Sequence, residues 1–549
     1  MRNLLKKLVG LVGLVALVGQ AIAQELPQGY FRNPLDCDIA LSATFAEFRT
    51  GHFHAGLDMR TGGAIGLPVH TAADGYVCGI RISPWGGGKM LYIKHPNGYT
   101  SVYMHLNDFA GEIGRWVRNE QYKEESFTII RDIPEGVLPV KKGQVVAHSG
   151  NSGSSGGPHL HFELRKNGFT INPLHFGLPY TDNIKPVIRG IRLYPSEGHP
   201  IDLEKQDLIS IAGPFYLGIY ATDAAEGSTA KNGVDKVELF VDGILFFKYA
   251  TDRFPLDSSR ISNALIDYPH YVLTREAYLL TRALPGALGE WIPVRHGDGI
   301  MRFSEGSTHS LRVRVSDIKG NTAERTFQVT TLAANSTNTP TTEEKNTYSI
   351  TYSKPLKFKG ENIRVDFPAH TVYDNDRMRI FSTASSTYRS PVCTVEPCKS
   401  DLPPHLWYTL SIKASSPMEK AVVVRIDGKR PTAYKTTREG DWYTASVRDF
   451  GHFALTVDNE APRISPLNFK ELKALRTNII RIKITDNLSG VDTYKCYLNG
   501  KWILAEYDGK TASLTIDASG VLKAGNNKLR VVVTDVAGNS TDVTFNLRK

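Results

Sequence analysis

The sequence predicts a mainly β chain: an antiparallel-β domain over residues 24–181, followed by about three β-sandwich modules. Three observations carry this prediction. Short runs of alternating apolar and polar residues recur between Gly, Asn and Asp turns, while long helical periodicity is scarce. The second half of the chain repeats itself. At 549 residues the chain is too long for one core, and ~150 residues per domain implies three or four units.

Taken in order, residues 1–23 read as a secretory signal. Arg2, Lys6 and Lys7 precede an apolar run from Leu8 to Gly19, and Ala21 and Ala23 form a small-x-small pair after it. The run falls short of the ~20 apolar residues that span a bilayer, and no later segment is apolar enough. The mature protein is therefore expected to be exported to the periplasm or cell envelope, or beyond it, with no transmembrane segment.

In the 24–181 domain, "KMLYIKHPNGYTSVYMHL" reads as a hairpin turning at Pro96-Asn97-Gly98, and "LPVKKGQVVAHSG" as another turning at Lys141 to Gly143. Residues 182–331 and 458–549 are the two copies of the repeat. "GVDKVELFVDGILFFKY" from Gly233 corresponds to "GVDTYKCYLNGKWILAEY" from Gly490, and "LRVRVSDIKGNTAERTFQV" from Leu311 to "LRVVVTDVAGNSTDVTFNL" from Leu529. The copies open with "DNIKPVIRGI" from Asp182 and "DNEAPRISPL" from Asp458. Strand-turn-strand units of this kind predict two β-sandwiches, which resemble the immunoglobulin-like modules appended to many bacterial envelope proteins. Residues 332–346 are polar and aperiodic and read as a linker, and 347–457 alternate and read as a further β module.

Charge and cysteine narrow the function classes. Removing residues 1–23 takes away three positive charges and no negative ones, leaving +6 from +9. With no Lys/Arg-rich run, this mild excess excludes nucleic acid as a partner. Cys37, Cys78, Cys393, Cys398 and Cys496 show no zinc-finger spacing. An exported protein can form disulfides, and "CTVEPC", Cys393 to Cys398, could close a small loop; five is odd, so at least one thiol is left unpaired within the chain.

The chemistry concentrates in the first third. Nine of the sixteen histidines precede Asp182, and two clusters stand out. "GHFHAGLDMRTGG" sets His52, His54 and Asp58 among glycines, and "GNSGSSGGPHLHFELR" sets His159 and His161 at alternate positions. On a strand, both latter imidazoles share one face and Leu160 takes the other. Histidine and carboxylate without cysteine suit zinc in a catalytic site, where three protein ligands leave a fourth position for water. Each cluster alone is a weak signal; a His-x-His pair is more often surface or packing.

Together and in order, the clusters resemble the lysostaphin/LytM-type zinc metallopeptidases, the Gly-Gly endopeptidase family that cuts peptide cross-links in peptidoglycan. The resemblance runs from about His52 to Pro173 through "HFHAGLD", "GLPVHTAADGYV", "GYTSVYMHL", "VKKGQVVAHSGNSGSSGGPHLHFELRKNG" and "INPL". It implies a domain built on a duplicated hybrid motif, with one zinc ion held by His54, Asp58 and His161. It further implies that His105, in "YMHL", and His159 are the two catalytic histidines. All five positions are filled as the active family requires.

The expected function is that of an exported zinc endopeptidase acting on peptidoglycan, its β modules spacing or docking it among other envelope proteins. The alternative is a silent member of the family that binds peptidoglycan or activates an amidase; the complete ligand set argues against it. A surface adhesin is a third reading, but no feature of the modules singles out a binding face. His52 reads as a surface histidine or a partner behind a ligand. His70, His95 and His148 read as structural or solvated, and Glu163 and Arg165 as groove-lining or paired. The stretch 107–140 is longer than the family's usual link and is expected either to wall one end of the groove or to be a remote loop.

Overall fold

The computed structural model describes residues 26–203, 206–224, 231–287, 294–333 and 345–549. The expected signal at 1–23 and most of the linker at 332–346 lie outside the described residues. None of the described helices is long and apolar enough to cross a membrane.

The first domain is built around an antiparallel sheet. Its strands in chain order are β1 (Leu41–Ala43), β2 (Leu57–Arg60), β3 (Gly75–Ile82), β4 (Lys89–Lys94), β5 (Thr100–Met104), β6 (Ile129–Asp132) and β7 (His159–Lys166). In space they run β1-β2-β7-β5-β4-β3-β6. The last of these seven in sequence is thus inserted between β2 and β5. Alternation explains its position. Leu160, Phe162 and Leu164 are fully buried on one face against Met59, Leu57 and Tyr103, whose strands pair with them in register. Burying each such side chain contributes about 1.5–3 kcal/mol, so register is held by the apolar face, and His159, His161, Glu163 and Arg165 are turned to the other.

The expected hairpin at Pro96-Asn97-Gly98 forms, with Lys94 opposite Thr100. The expected hairpin at Lys141 to Gly143 does not. The chain does turn there, with Gln144 N donating to the Lys141 carbonyl at 2.8 Å, but the two arms part. Pro139–Val140 pairs with Tyr76 and Gly75 in the main sheet, whereas Val145–His148 pairs with Pro68–His70 and Asp108–Phe109 in a separate small sheet.

The 107–140 stretch carries a helix, α1 (Gly111–Glu124), which buries Ile113, Val117 and Gln121 and ends on Glu125 in the left-handed region. Its outer side meets the final module. Tyr122 and Trp502 lie edge to face with centroids 4.9 Å apart, and Lys495 reaches Glu125 at 3.4 Å.

Each repeat copy is a two-sheet sandwich. In the first, Ile244–Ala250, Lys236–Val241, Thr308–Ser316 and Thr322–Leu332 are neighbours in that order; in the second, Lys501–Trp502, Val491–Leu498, Asn526–Asp535 and Ser540–Arg548 take the same places. Between the copies, residues 347–457 form sheets of six and five strands around Phe367, Val395, Tyr408, Tyr443 and Phe453. The "CTVEPC" loop does not close. Cys393 sits buried on the extended strand Val392–Pro397 and Cys398 follows its end. At 3.3 Å per residue they stand roughly 16 Å apart, far beyond disulfide reach.

Candidate metal centre

The polar face of β7 carries the site. His161 stands opposite Asp58 of β2 on one side and Met104 of β5 on the other. One register therefore sets an imidazole beside a carboxylate and places His105, the residue after Met104, at the same end of the sheet. His105 has φ +61°, a left-handed turn that ends β5 and redirects the chain. His54 arrives from the loop before β2.

Three atoms converge. His54 Nε2 is 3.0 Å from Asp58 Oδ1 and 3.0 Å from His161 Nδ1, and His161 Nδ1 is 2.9 Å from Asp58 Oδ1. His54 and His161 are buried. The far nitrogen of each ring is spoken for: His54 Nδ1–H donates to the Thr44 carbonyl at 2.7 Å, and His161 Nε2–H donates to Glu163 at 2.9 Å. In the neutral form of each ring this leaves a bare nitrogen facing the cluster, the arrangement in which outer partners orient ligand imidazoles.

The electrostatics also suit a cation. Burial alone would raise Asp58, but the charge of His54 and the close approach of the His159, His161 and His54 rings outweigh it and hold the carboxyl well below its usual range. Burial pulls His161 down, yet its hydrogen bonds to Asp58 and Glu163 win and push it up to about 9. Two carboxylates thus stabilise positive charge at this point, and nitrogen, nitrogen and oxygen donors within 3.0 Å of one another fit one divalent ion with open positions.

Two further histidines flank the cluster. His159 is pinned by Nδ1–H to the Gly157 carbonyl at 2.8 Å, and its Nε2 lies 3.3 Å from Asp58 Oδ1 without an aligned hydrogen bond. His105 donates Nδ1–H to the Ser152 carbonyl at 2.9 Å, and its ring centroid is 4.8 Å from that of His159. Burial, then the charges of His161 and His159, lower His105 to about 4, so it is neutral near pH 7. The His105 ring centroid also lies 6.0 Å from that of His161.

The glycine frame has particular tasks. A Cβ on Gly56 would stand 2.4 Å from the Phe162 carbonyl and 2.9 Å from His161 Nε2, so only glycine lets the His54 loop lie against β7. A Cβ on Gly150 would meet the Asn107 backbone nitrogen at 2.4 Å. Gly156 and Gly157 have open space around them and no such constraint.

The remaining histidines of the first domain lie apart from this cluster. His52 is exposed on its short strand. His70 donates to Gly143 O and faces Asp36, His95 bridges Asp74 O and Ser101, and His148 pairs with Asp108. Glu163 has a larger role than its place in the sequence pattern suggests: 1% exposed, it holds His161 from behind while its other oxygen pairs with Arg165. The signal for it is the recurrence of His159, His161, Glu163 and Arg165 at period two.

The final module closes one side of the rim. Lys89 Nζ reaches Glu506 at 2.8 Å, Lys510 Nζ donates to the Ser155 carbonyl at 3.1 Å and also to that of Asn151, and Tyr507 meets the exposed Trp85 edge to face. Lys510 therefore holds the 151–158 loop that delivers His159.

Residues 52–122 and 137–173 match Peptidase family M23. These residues form a Peptidase family M23 domain. The gap between the two matched stretches falls within the long 107–140 segment. Residues 347–458 match a Zu5-like domain. The M23 stretch is 32% identical over 166 residues to an uncharacterized metalloprotease of Haemophilus influenzae, covering 29% of this chain and 30% of that protein. It is 31% identical over 130 residues to the DD-carboxypeptidase/endopeptidase Mpg of Neisseria meningitidis, covering 24% of each. To the peptidoglycan DD-endopeptidase ShyA of Vibrio cholerae it is 28% identical over 166 residues, covering 29% and 33%. The chain spans about a quarter to a third of the length of these curated relatives.

Proposed function

We propose that this protein is an exported zinc-dependent endopeptidase that hydrolyses peptide cross-links or stem peptides of peptidoglycan at the cell envelope. The observation that carries the reading is the convergence of His54 Nε2, Asp58 Oδ1 and His161 Nδ1 within 3.0 Å, flanked by His105 and His159. It stands within a stretch similar to proteins named metalloprotease and peptidoglycan endopeptidase.

In this reading His54, Asp58 and His161 hold the ion. Bound zinc polarises the scissile carbonyl and brings the pKa of a coordinated water toward ~7. The chain's own residues do the rest. Neutral His105, anchored through Nδ1, offers Nε2 as a proton acceptor and can return that proton to the leaving amine. His159, its ring held through Nδ1–H by the Gly157 carbonyl, donates from Nε2 to the oxyanion when protonated. Glu163 keeps His161 in the tautomer that presents Nδ1.

The test is mass spectrometry of muropeptides released from purified cross-linked peptidoglycan, with His161→Ala and His105→Ala in parallel. Zinc-dependent loss of cross-linked dimers, absent in both variants, is the expected result and names the bond. Folded, zinc-loaded protein that leaves every tested peptidoglycan intact would overturn the proposal.

A further inference from the structure

The repeat modules contain a cluster that the proposed reaction does not use. Asp182, Asp223 and Asp317 each bring a carboxylate oxygen to within 4.8 Å of the other two, and all three residues are buried. They come from separate places. Asp182 lies in the segment leaving the first domain, Asp223 directly follows the strand Phe215–Thr222, and Asp317 sits in the turn between Thr308–Ser316 and Thr322–Leu332.

Two of them are tied to local structure. Asp317 accepts from the backbone of Lys319 and Asn321 and from the Asn321 amide, and Asp182 accepts from Ile184 N and the Tyr180 hydroxyl. Asp223 is different. Among the described residues its Oδ1 is buried with no hydrogen-bond partner. Burial, then the charge of Asp182 and that of Asp317, push the Asp223 carboxyl up to about 7.

A second observation comes from the strand opposite. Asp223 and Asn232 exchange two backbone hydrogen bonds of 2.9 Å, so they are directly opposed and their side chains rise on the same face. Asn232 is 2% exposed, and neither its Oδ1 nor its Nδ2 has a partner among the described residues. Burying a carboxylate oxygen and a whole amide without partners costs several kcal/mol, which an ion among them would offset.

The other repeat copy makes the same cluster from Asp458, Asp486 and Asp535. Its Asn539 amide donates to Asp458 O as the Asn321 amide does to Asp182 O, and Asp486 Oδ1 is again buried and unpartnered among the described residues. The pattern belongs to the module and not to one loop.

We propose that Asp182, Asp223 and Asp317, with the amide oxygen of Asn232, bind a calcium ion that fastens the first domain to the module after it. The donor set is all oxygen, with no imidazole or thiolate, which selects a hard cation over zinc. Carboxylates from three separate segments suit the flexible six- to eight-fold coordination of calcium better than the strict octahedron of magnesium. Affinities of extracellular calcium modules, with Kd about 10⁻⁴–10⁻³ M, are matched to an exported protein.

The test uses the full chain, zinc-loaded and passed over a divalent-chelating resin, titrated with calcium chloride by calorimetry and thermal melting. Calcium should bind stoichiometrically and raise Tm by several degrees, and Asp223→Asn should bind one fewer calcium per chain. In calcium-free buffer Asp223→Asn should melt no lower than the native protein, since it removes a repelling charge; that separates ligation from a merely structural role. No calcium binding up to about 10 mM, an unchanged count in Asp223→Asn, or an equal response to magnesium would overturn the proposal.

Discussion

Replacing Glu163 by glutamine should weaken metal binding while leaving the sheet folded. Glu163 is 1% exposed, accepts His161 Nε2–H at 2.9 Å through one oxygen and pairs with Arg165 through the other. Glutamine keeps the shape and can still accept from His161. Its amide nitrogen must then face the Arg165 guanidinium, donor against donor, and the negative charge that makes His161 basic is gone. Outer partners of this kind change metal affinity by about 10–100-fold, or roughly 1.4–2.7 kcal/mol. Breaking a buried ion pair from one side costs about 3–5 kcal/mol, and the Arg165 side chain is 23% exposed, so the lower end applies to stability. The assay is competition with a chromophoric zinc chelator at neutral pH, with a melting curve on the same sample. Arg165→Met, which strips the cation and leaves the carboxylate on His161, should lose stability yet keep zinc affinity within a few-fold. A folded Glu163→Gln that holds zinc within about two-fold of the native protein would refute the reasoning.

Two other perturbations follow from the packing around the site. Gly56→Ala drives a methyl to 2.4 Å from the Phe162 carbonyl, so β7 must shift; about 1–3 kcal/mol of stability and most bound zinc should be lost, read by melting and by metal content. Unchanged zinc content would count against the close approach. Lys510→Met removes the hydrogen bonds that the final module makes to Asn151 O and Ser155 O. Hydrogen exchange of the 151–158 loop should rise about five-fold, the equivalent of ~1 kcal/mol, and identical exchange would mean that the loop stands alone.

Strand periodicity is legible because it is local. Alternation along "HLHFELR" puts His159 and His161 on one face and Leu160 on the other without any knowledge of neighbours. The two repeat copies and the module at 347–457 can likewise be read along the chain, whereas the five candidate site residues are named only through the family resemblance of the motifs that hold them. Partnership is not legible, because which strands pair is decided by apolar faces far apart in sequence. Tertiary structure alone sets β7 between β2 and β5, so that Asp58 faces His161 across one register. It separates the two arms expected to form a hairpin at Lys141 to Gly143, stretches Cys393 and Cys398 apart, and turns part of the 107–140 segment into a helix that leans on the final module. It also buries Glu163 behind His161 and draws Asp182, Asp223 and Asp317 from three segments into one cluster. Residue type and period fix what a side chain can do and which face it takes; only the packed chain decides what it meets.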